Sequence, residues 1–310
     1  MLIVILLLVL IVLFFVFLRV LYRMSFGVKA VHENYDRDVP KYEQFEILAG
    51  RMLADVDHLL AVPFEPVSIM SRDGLKLCGR YYHHEDGSPL VILCHGYHGS
   101  AIRDSVGGFR IAKEQGCNIL IIHQRAHGES EGRTITMGIK ERYDCIDWIR
   151  YMLHRLGENT RVCLMGVSMG AATVLMASGL DELPKQVKCI MADCGYSTIR
   201  GMVSKVIKSM GFPPKLGYPF VRLASIIYGG FDPDEDTPKD ALKNCRLPVL
   251  LVHGDHDGLV PCEMSYENYE AITSDKELII VHGANHGVSF FVDQEKYINA
   301  AKAFMKKYLY

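Results

Sequence analysis

Residues 162–173 read VCLMGVSMGAAT, and this stretch decides the fold class. Its first four residues form an apolar strand pattern, a G-x-S-x-G run centred on Ser168 follows, and small residues then begin a helix pattern. In so sharp a strand-to-helix turn the serine backbone is strained, so its neighbours must lack bulk, and Gly166 and Gly170 meet that need. We therefore expect Ser168 to be a nucleophile, with the Met169 amide at the start of the next helix, where an anion is stabilised.

A serine hydroxyl becomes a strong nucleophile when a histidine removes its proton and an acidic residue orients that histidine. Two later loops supply both residue types, each directly after an apolar strand pattern. Residues 247–252 lead into HGDHDGLVP, in which Asp257 is the predicted acid and Asp255 the nearer alternative. Residues 278–281 lead into HGANHG, in which His286 is the predicted base. The chain order is therefore serine, acid, histidine.

The oxyanion that forms during attack on a carbonyl needs amide donors, and the Met169 amide is the first predicted one. The apolar strand pattern at residues 90–94 ends in HGYHGS, where glycines let the backbone turn its amides inward. Tyr97 is the predicted second donor. In the same loop His95 is expected to support the backbone, whereas His98 is expected to face solvent or substrate.

These motifs together resemble those of the α/β-hydrolase superfamily. Four motifs carry the resemblance: HGxxGS at 95–100, GxSMG at 166–170, HGxxDxxVP at 253–261 and GxxHG at 283–287. The resemblance covers about residues 64–308 and implies a mostly parallel sheet flanked by helices, with Ser168, Asp257 and His286 as the catalytic triad. Monoglyceride lipases, carboxylesterases, thioesterases and proline-iminopeptidase-like peptidases share these motifs, so the substrate is left open.

The chain departs from the superfamily pattern in the loop after the fourth strand pattern. Relatives usually read D-x-R-G-H-G-x-S there, whereas residues 123–130 read HQRAHGES. His123 and Ala126 thus replace the aspartate and the first glycine. Because that loop looks structural in the superfamily, we expect a change in loop geometry rather than in catalysis.

Two further patterns fit a functional site less well. Asp193 follows the sixth strand pattern, where some relatives place the acid, but Asp257 has the better loop. His282 and His286 are four residues apart, a spacing that can bind zinc on a helix, yet they lie in a glycine-containing loop without an HExxH pattern. No GxGxxG or Walker loop opens a βαβ unit, so we predict neither a metal nor a nucleotide or flavin cofactor.

The composition fits one globular enzyme domain with an added segment. The 310 residues include 34 basic and 36 acidic side chains without a basic patch or a nucleic-acid motif, so nucleic acid is not an expected partner. Nine cysteines show no CxxC pair, and Cys94, Cys163 and Cys189 lie in apolar patterns. We expect reduced, buried thiols.

The added segment opens the chain and carries no charge before Arg19. As a helix, residues 2–22 would extend about 30 Å, enough to span the hydrocarbon core, with Arg19, Tyr22 and Arg23 at the interface. A cleaved signal peptide is the alternative, because residues 28–30 loosely resemble a cleavage site. Since a basic n-region is missing and the apolar run is long for a signal peptide, we predict an uncleaved, single-pass membrane anchor.

The orientation of this anchor follows from its flanking charges. All basic residues near the segment lie on its C-terminal side, so the positive-inside rule places the rest of the chain in the cytoplasm. An outward-facing domain is the alternative, because a short N-terminal tail constrains topology little.

Between the anchor and the core, residues 39–60 show the apolar period of an amphipathic helix, which we expect to pack on the core rather than on a membrane surface. Residues 72–74, Arg-Asp-Gly, separate strand patterns at 67–71 and 75–82 and predict an antiparallel hairpin. Strand and helix patterns then alternate, and the last helix is predicted over residues 289–308. This order is typical of a parallel sheet covered on both faces.

Residues 197–246 interrupt the alternation, and we interpret them as a small helical cap. Apolar residues from Ile199 to Met210 follow a helical stripe that ends at Gly211. Since related folds place lids here, the stripe either packs in the core or lines an acyl pocket. The acidic run at residues 232–236 is expected to be solvated rather than metal-binding.

The predicted organisation is an anchor and its flank at residues 1–30, a linker and amphipathic helix at 31–63, and a hydrolase domain at 64–310 that includes the cap. The predicted function is hydrolysis of an ester or thioester with a hydrophobic acyl group, through an acyl-enzyme on Ser168. A serine aminopeptidase-like activity is the alternative, in which Glu235 of the cap would bind the substrate amine. A non-catalytic binding protein that keeps the fold is the alternative of another class.

Overall fold

The computed structural model describes residues 1–28, 35–41 and 43–310, and within them eight strands form one sheet. In chain order the strands are β1 (Glu65–Met70), β2 (Lys76–Tyr82), β3 (Leu90–Cys94), β4 (Asn118–Ile122), β5 (Val162–Val167), β6 (Val187–Asp193), β7 (Val249–Gly254) and β8 (Lys276–Val281). Across the sheet the order is β1-β2-β4-β3-β5-β6-β7-β8. β2 is antiparallel to both β1 and β4, and all other neighbours are parallel, so the predicted hairpin opens a mostly parallel sheet.

Strand β3 shows why both faces of the sheet are covered. All five of its residues are buried. Val91 and Leu93 pack in one hydrophobic cluster, and Leu90, Ile92 and Cys94 pack in another. Because successive side chains of a strand point to opposite faces, a strand that is apolar throughout requires helices on each side.

The described residues form eleven α-helices around this sheet. They are α1 (Leu2–Phe26), α2 (Glu43–Leu60), α3 (Val106–Glu114), α4 (Glu141–Leu156), α5 (Met169–Ala177), α6 (Ile199–Ser209), α7 (Pro214–Ala224), α8 (Pro238–Leu242), α9 (Glu263–Ala271), α10 (Ser289–Val292) and α11 (Gln294–Tyr308). Helices α2, α3 and α11 contribute to the first cluster, and α4 and α5 contribute to the second.

Two predicted helices have different boundaries in the structure. The amphipathic helix begins at Glu43 instead of residue 39, and its apolar face packs into the first cluster, as expected. The helix predicted over residues 289–308 is broken at Asp293, whose side chain accepts a hydrogen bond from the Lys296 amide. An aspartate in this position caps the N-terminus of a new helix, so one continuous apolar pattern covers two helices.

The cap contains α6, α7, a π-helical turn at Ser225–Gly229 and α8. The apolar stripe of α6 divides into two parts. Ile199 and Val203 are buried in a third hydrophobic cluster, together with Met169 at the start of α5. Val206 and Met210 are exposed to solvent. The first half of the stripe is therefore core packing.

Helix α1 is long and apolar enough to cross a membrane, and its C-terminal end also belongs to the third cluster. Leu18, Tyr22 and Phe26 are buried. The Tyr22 hydroxyl lies 2.5 Å from Thr134 Oγ1, which corrects the expectation that this side chain lies at a membrane interface. The helix also continues beyond residue 22 to Phe26, because these residues are held by protein contacts.

We predict that two truncations of α1 differ sharply in stability. Deleting residues 2–13 retains Leu18, Tyr22 and Phe26 as well as the contacts of residues 14–17 with the cap, so the unfolding temperature should change little. Deleting residues 2–28 removes three buried side chains, a loss on the order of 5 kcal/mol, which is a large part of the stability of an ordinary domain. Thermal unfolding followed by circular dichroism compares the two forms. Equal unfolding temperatures would show that α1 does not support the fold.

Candidate active site

The turn between β5 and α5 holds Ser168 in a strained conformation. Its backbone has φ 56° and ψ −116°, which is rare for a residue other than glycine. A Cβ on Gly170 would overlap the carbonyl oxygen of Cys94 at the end of β3, and one on Gly166 would overlap the carbonyl oxygen of Gly170. The two glycines therefore let β5, α5 and β3 approach one another, and this approach turns Ser168 out of the sheet.

This packing predicts that Gly170→Ala is severely destabilising, because the added methyl group meets backbone atoms that have no room to move. Gly50→Ala on α2 is the matched control, since a Cβ there has open space and alanine favours a helix by about 1 kcal/mol. Unfolding temperature and soluble yield measure both variants. We expect Gly170→Ala to lose its cooperative transition while Gly50→Ala matches or exceeds the parent, and equal behaviour of the two would contradict the packing argument.

The structure brings the three predicted catalytic side chains together. The Ser168 Oγ lies 2.9 Å from His286 Nε2, and His286 Nδ1 lies 2.7 Å from Asp257 Oδ2. Each residue stands at the carboxyl end of a strand or in the loop that follows it, namely β5, β7 and β8. With the proton of the histidine on Nδ1, Nε2 can accept the serine proton.

Asp257 is buried but stays ionised. Burial would raise the pKa of its carboxyl, but hydrogen bonds from His253 and His286 outweigh this and hold the pKa well below its usual range. The Oδ1 atom also accepts hydrogen bonds from the Leu259 and Val260 amides, both at 2.8 Å. A fixed negative charge therefore faces His286 Nδ1.

His253 is a supporting residue that sequence analysis did not single out. Its Nε2 lies 3.1 Å from Asp257 Oδ2 and 3.0 Å from the Val260 carbonyl oxygen, so this nitrogen is a donor. Its Nδ1 lies 2.5 Å from Ser265 Oγ and accepts from that hydroxyl. The histidine at the start of the HGxxDxxVP motif was the available signal.

The alternative acids have other partners. Asp255 lies 2.7 Å from His282 Nδ1 and accepts from the Gly283 amide, so His282 and His286 belong to different pairs. Asp193 is buried, and burial raises the pKa of its carboxyl to about 6. Within the described residues, Asp193 Oδ1 has no hydrogen-bond partner, and Asp193 is not bonded to His286.

The loop after β3 passes directly beside Ser168. A Cβ on Gly96 would lie 3.3 Å from the Ser168 Cβ. The Gly96 amide is occupied, because it donates to Asp104 Oδ2 at 3.0 Å, whereas the Tyr97 amide donates to no acceptor among the described residues. The Met169 amide stands at the first position of α5, where a helix has no internal acceptor. Both predicted oxyanion donors are thus open to a ligand.

Two histidines and the end of α1 hold this loop. His95 is buried, its Nδ1 donates to the Gly96 carbonyl, and its Nε2 accepts from the Gln124 amide; burial lowers its pKa. His98 does not face solvent or substrate as expected, because its Nε2 lies 2.8 Å from the Gly27 carbonyl oxygen. The Tyr97 hydroxyl likewise donates to the Ser25 carbonyl at 3.1 Å.

Residues 111–310, more than half of the chain, match the model of the prolyl oligopeptidase family. The chain belongs to the prolyl oligopeptidase family. Among curated proteins it is similar to the uncharacterized protein YqkD of Bacillus subtilis, with 23% identity over 240 residues that cover 76% of this chain and 77% of YqkD. It is also similar to the thiohydrolase aneE of Aspergillus aculeatus, with 29% identity over 136 residues, 42% of this chain and 41% of that protein.

Solved structures show the fold. The esterase Pf2001 of Pyrococcus furiosus aligns with a TM-score of 0.67 and 24% identity, covering 91% of this chain and 99% of that one. Est1E of Butyrivibrio proteoclasticus, solved with ferulic acid bound, aligns with a TM-score of 0.60 and 21% identity, covering 80% and 99%. The predicted α/β-hydrolase fold is confirmed. The family and the fold together make the chain a serine hydrolase of this superfamily.

Both residues that depart from the superfamily pattern in the loop at residues 123–130 lie in unusual surroundings. Ala126 has φ 63°, a backbone conformation that glycine adopts more readily than alanine. His123 is buried, and neither ring nitrogen has a hydrogen-bond partner within the described residues. The ring lies against Gly128, on which a Cβ would overlap Nδ1. Burial first, and then the nearby His95 and Arg80, lower the pKa of His123 to about 3.

This buried histidine predicts a pH-dependent stability. An unfolded histidine binds a proton near pH 6.5, whereas folded His123 stays neutral down to about pH 3. Above pH 6.5 the histidine is neutral in both the folded and the unfolded chain, so it does not oppose folding. As the pH falls below 6.5 the unfolded chain binds a proton that folded His123 does not, and the free energy of unfolding decreases, by about 2 kcal/mol at pH 5. Urea unfolding measures the free energy of unfolding at pH 7 and at pH 5. The decrease between these two pH values should be about 2 kcal/mol smaller in His123→Gln than in the parent.

His58→Gln is the control for this measurement, because His58 is exposed on α2. Its pH-dependent drop should equal that of the parent. A drop in His123→Gln as large as in the parent would mean that His123 is protonated in the folded chain.

Proposed function

We propose that this member of the prolyl oligopeptidase family is a membrane-anchored esterase or thioesterase that acts on hydrophobic acyl substrates. The proposal is carried by the hydrogen-bonded line from Ser168 through His286 to Asp257. That line matches the nucleophile, base and acid of acyl transfer in geometry and in chain order.

In the proposed mechanism the Ser168 oxygen attacks the substrate carbonyl carbon while His286 Nε2 takes the hydroxyl proton. The resulting oxyanion accepts hydrogen bonds from the Tyr97 and Met169 amides. The tetrahedral intermediate collapses to an acyl-enzyme, and His286 returns the proton to the leaving alcohol or thiol. A water molecule, deprotonated by His286, then releases the acid. Asp257 keeps the proton of the histidine on Nδ1 and stabilises the imidazolium.

An ester or thioester fits better than a peptide. Glu235, the candidate receptor for a peptide amine, accepts a hydrogen bond from the Arg142 guanidinium at 2.8 Å and is already paired with a cation. The esterase and thiohydrolase activities in the names of two similar proteins agree with this choice. The family match favours the second candidate, a serine peptidase. A non-catalytic binding protein is the third.

The proposal includes α1 as an uncleaved anchor, with the catalytic domain on the cytoplasmic side. Leu18, Tyr22 and Phe26 pack inside the protein, and cleavage near residues 28–30 would remove them. Lys29 and Ala30 of that sequence lie outside the described residues. The basic residues Arg19 and Arg23 at the end of α1 favour the cytoplasmic orientation.

The first test is labelling of the full-length protein, in detergent micelles, with a fluorophosphonate probe. We expect one adduct on Ser168, located by mass spectrometry and absent in Ser168→Ala, because activated serines react with such electrophiles. Unlabelled protein from the same preparation is then compared on p-nitrophenyl esters, acyl thioesters and aminoacyl anilides, because the adduct blocks Ser168. Faster anilide cleavage would favour the peptidase, and a folded protein without an adduct would favour the binding protein.

A further inference from the structure

The cap exposes a large apolar surface. Phe212 is 65% exposed and Leu216 is 68% exposed. We use the name cap face for seven exposed residues of α7, the π-helical turn and the loop between α6 and α7: Met210, Phe212, Leu216, Phe220, Leu223, Ile226 and Ile227. Contiguous apolar surface of this kind marks an interaction site on a soluble domain.

The cap face is continuous with α1. The Phe220 ring lies 6.3 Å from Phe14 and 5.7 Å from Phe17, centroid to centroid. The Tyr228 hydroxyl donates to the Phe15 carbonyl at 2.9 Å. Residues 14–17 are therefore flanked by the cap, although they belong to the segment that would cross a bilayer.

The length of α1 then limits where the cap can lie. Residues 2–13 extend beyond the protein body, and each is at least 48% exposed. Twelve helical residues extend about 18 Å, whereas the hydrocarbon core of a bilayer is about 30 Å thick. If α1 spans the bilayer, the cap beside residues 14–17 must enter the membrane. We propose that the cap face is a membrane-docking surface that lies among the lipid headgroups and upper acyl chains.

The charges around the cap face select an anionic phospholipid surface. Residues 197–231 contain five basic residues and no acidic residue. Arg200 and Arg222 pair with Asp234 and Asp232, whereas Lys208 and Lys215 are exposed. A second copy of this chain would bring like charges together, while anionic headgroups attract lysines beside a bilayer.

This docking has a consequence for the substrate, which rests on the proposed hydrolase function. The oxyanion loop contacts the end of α1 through Tyr97 and His98. Lys205 of α6 also donates to the Gly258 carbonyl in the loop of Asp257. The active site therefore lies close to the docked surface, and a membrane-resident acyl ester can reach Ser168 without crossing bulk water.

Tryptophan fluorescence tests the docking independently of activity. The chain has one tryptophan, Trp148, which is fully buried and gives a constant background. Phe212→Trp places a reporter on the cap face. Tyr310→Trp is the matched control, because Tyr310 bonds to Gln115 and Arg161 at the opposite, amino-terminal edge of the parallel strands. Both full-length variants are reconstituted in vesicles of phosphatidylcholine with a minor share of phosphatidylglycerol.

Brominated phosphatidylcholine should quench Phe212→Trp by about twofold or more, because the reporter lies among acyl chains, and should leave Tyr310→Trp unchanged. Acrylamide, which quenches from the water phase, should quench Tyr310→Trp more strongly than Phe212→Trp. Equal quenching of both variants by acrylamide, without quenching by the brominated lipid, would overturn the proposal. Protection of Phe212→Trp from both quenchers would overturn it as well, because a second protein copy would then cover the cap face.

A second measurement separates docking from catalysis. In Phe212→Glu combined with Leu216→Glu, hydrolysis of a vesicle-embedded ester should fall about tenfold, since charged side chains are unfavourable in the acyl region, while hydrolysis of a water-soluble ester is unchanged. Equal rates of the parent and the variant on both esters would contradict substrate entry from the bilayer. If the parent cleaves neither ester, the proposed function fails, but the fluorescence result still decides the docking.

Discussion

The active-site architecture depends on the close backbone contact between the β5–α5 turn and the end of β3. Gly170 lies against the Cys94 carbonyl, and Gly166 lies against the Gly170 carbonyl, so no side chain fits at either position. The approach holds the Ser168 backbone at a positive φ of 56°, which is rare for a residue other than glycine. It also brings the Gly96 backbone beside the Ser168 side chain. One steric constraint therefore sets the serine and the loop of candidate amide donors at the same time.

Two buried carboxyl groups near this turn show how hydrogen bonding decides charge. Asp257 receives hydrogen bonds from His253, from His286 and from two backbone amides, and its pKa is low despite burial. Asp193 is buried with one oxygen unpartnered, and its pKa is raised. A buried carboxylate stays ionised only where donors replace the lost water. The donors around Asp257 thus stabilise its carboxylate in the ionised form, which is the fixed negative charge that a triad requires.

Helix α1 combines an apolar segment that is long enough to span a membrane with direct contacts to the loop beside Ser168. Its apolar N-terminal half extends from the protein, while Leu18, Tyr22 and Phe26 fill the cluster beneath the cap. The carbonyl groups at Ser25 and Gly27 hold the side chains of Tyr97 and His98. A segment that reads as a simple anchor is therefore also part of the folded domain. The same contacts place the loop of Tyr97 and the cap beside the C-terminal half of α1.

Local patterns in the sequence determined the fold class and the candidate triad. A buried strand is recognised from a short run of apolar residues, and the turn that holds Ser168 is recognised from the glycines on either side of it. Each pattern spans only a few consecutive residues, so the sequence alone reveals it. Contacts between distant residues were decided only by the tertiary structure. The pairing of Glu235 with Arg142 and the burial of Tyr22 beside Thr134 each bring together segments that no local period connects. Even the helix break at Asp293 lay within a continuous apolar pattern, because a cap is a matter of backbone geometry that periodicity does not record.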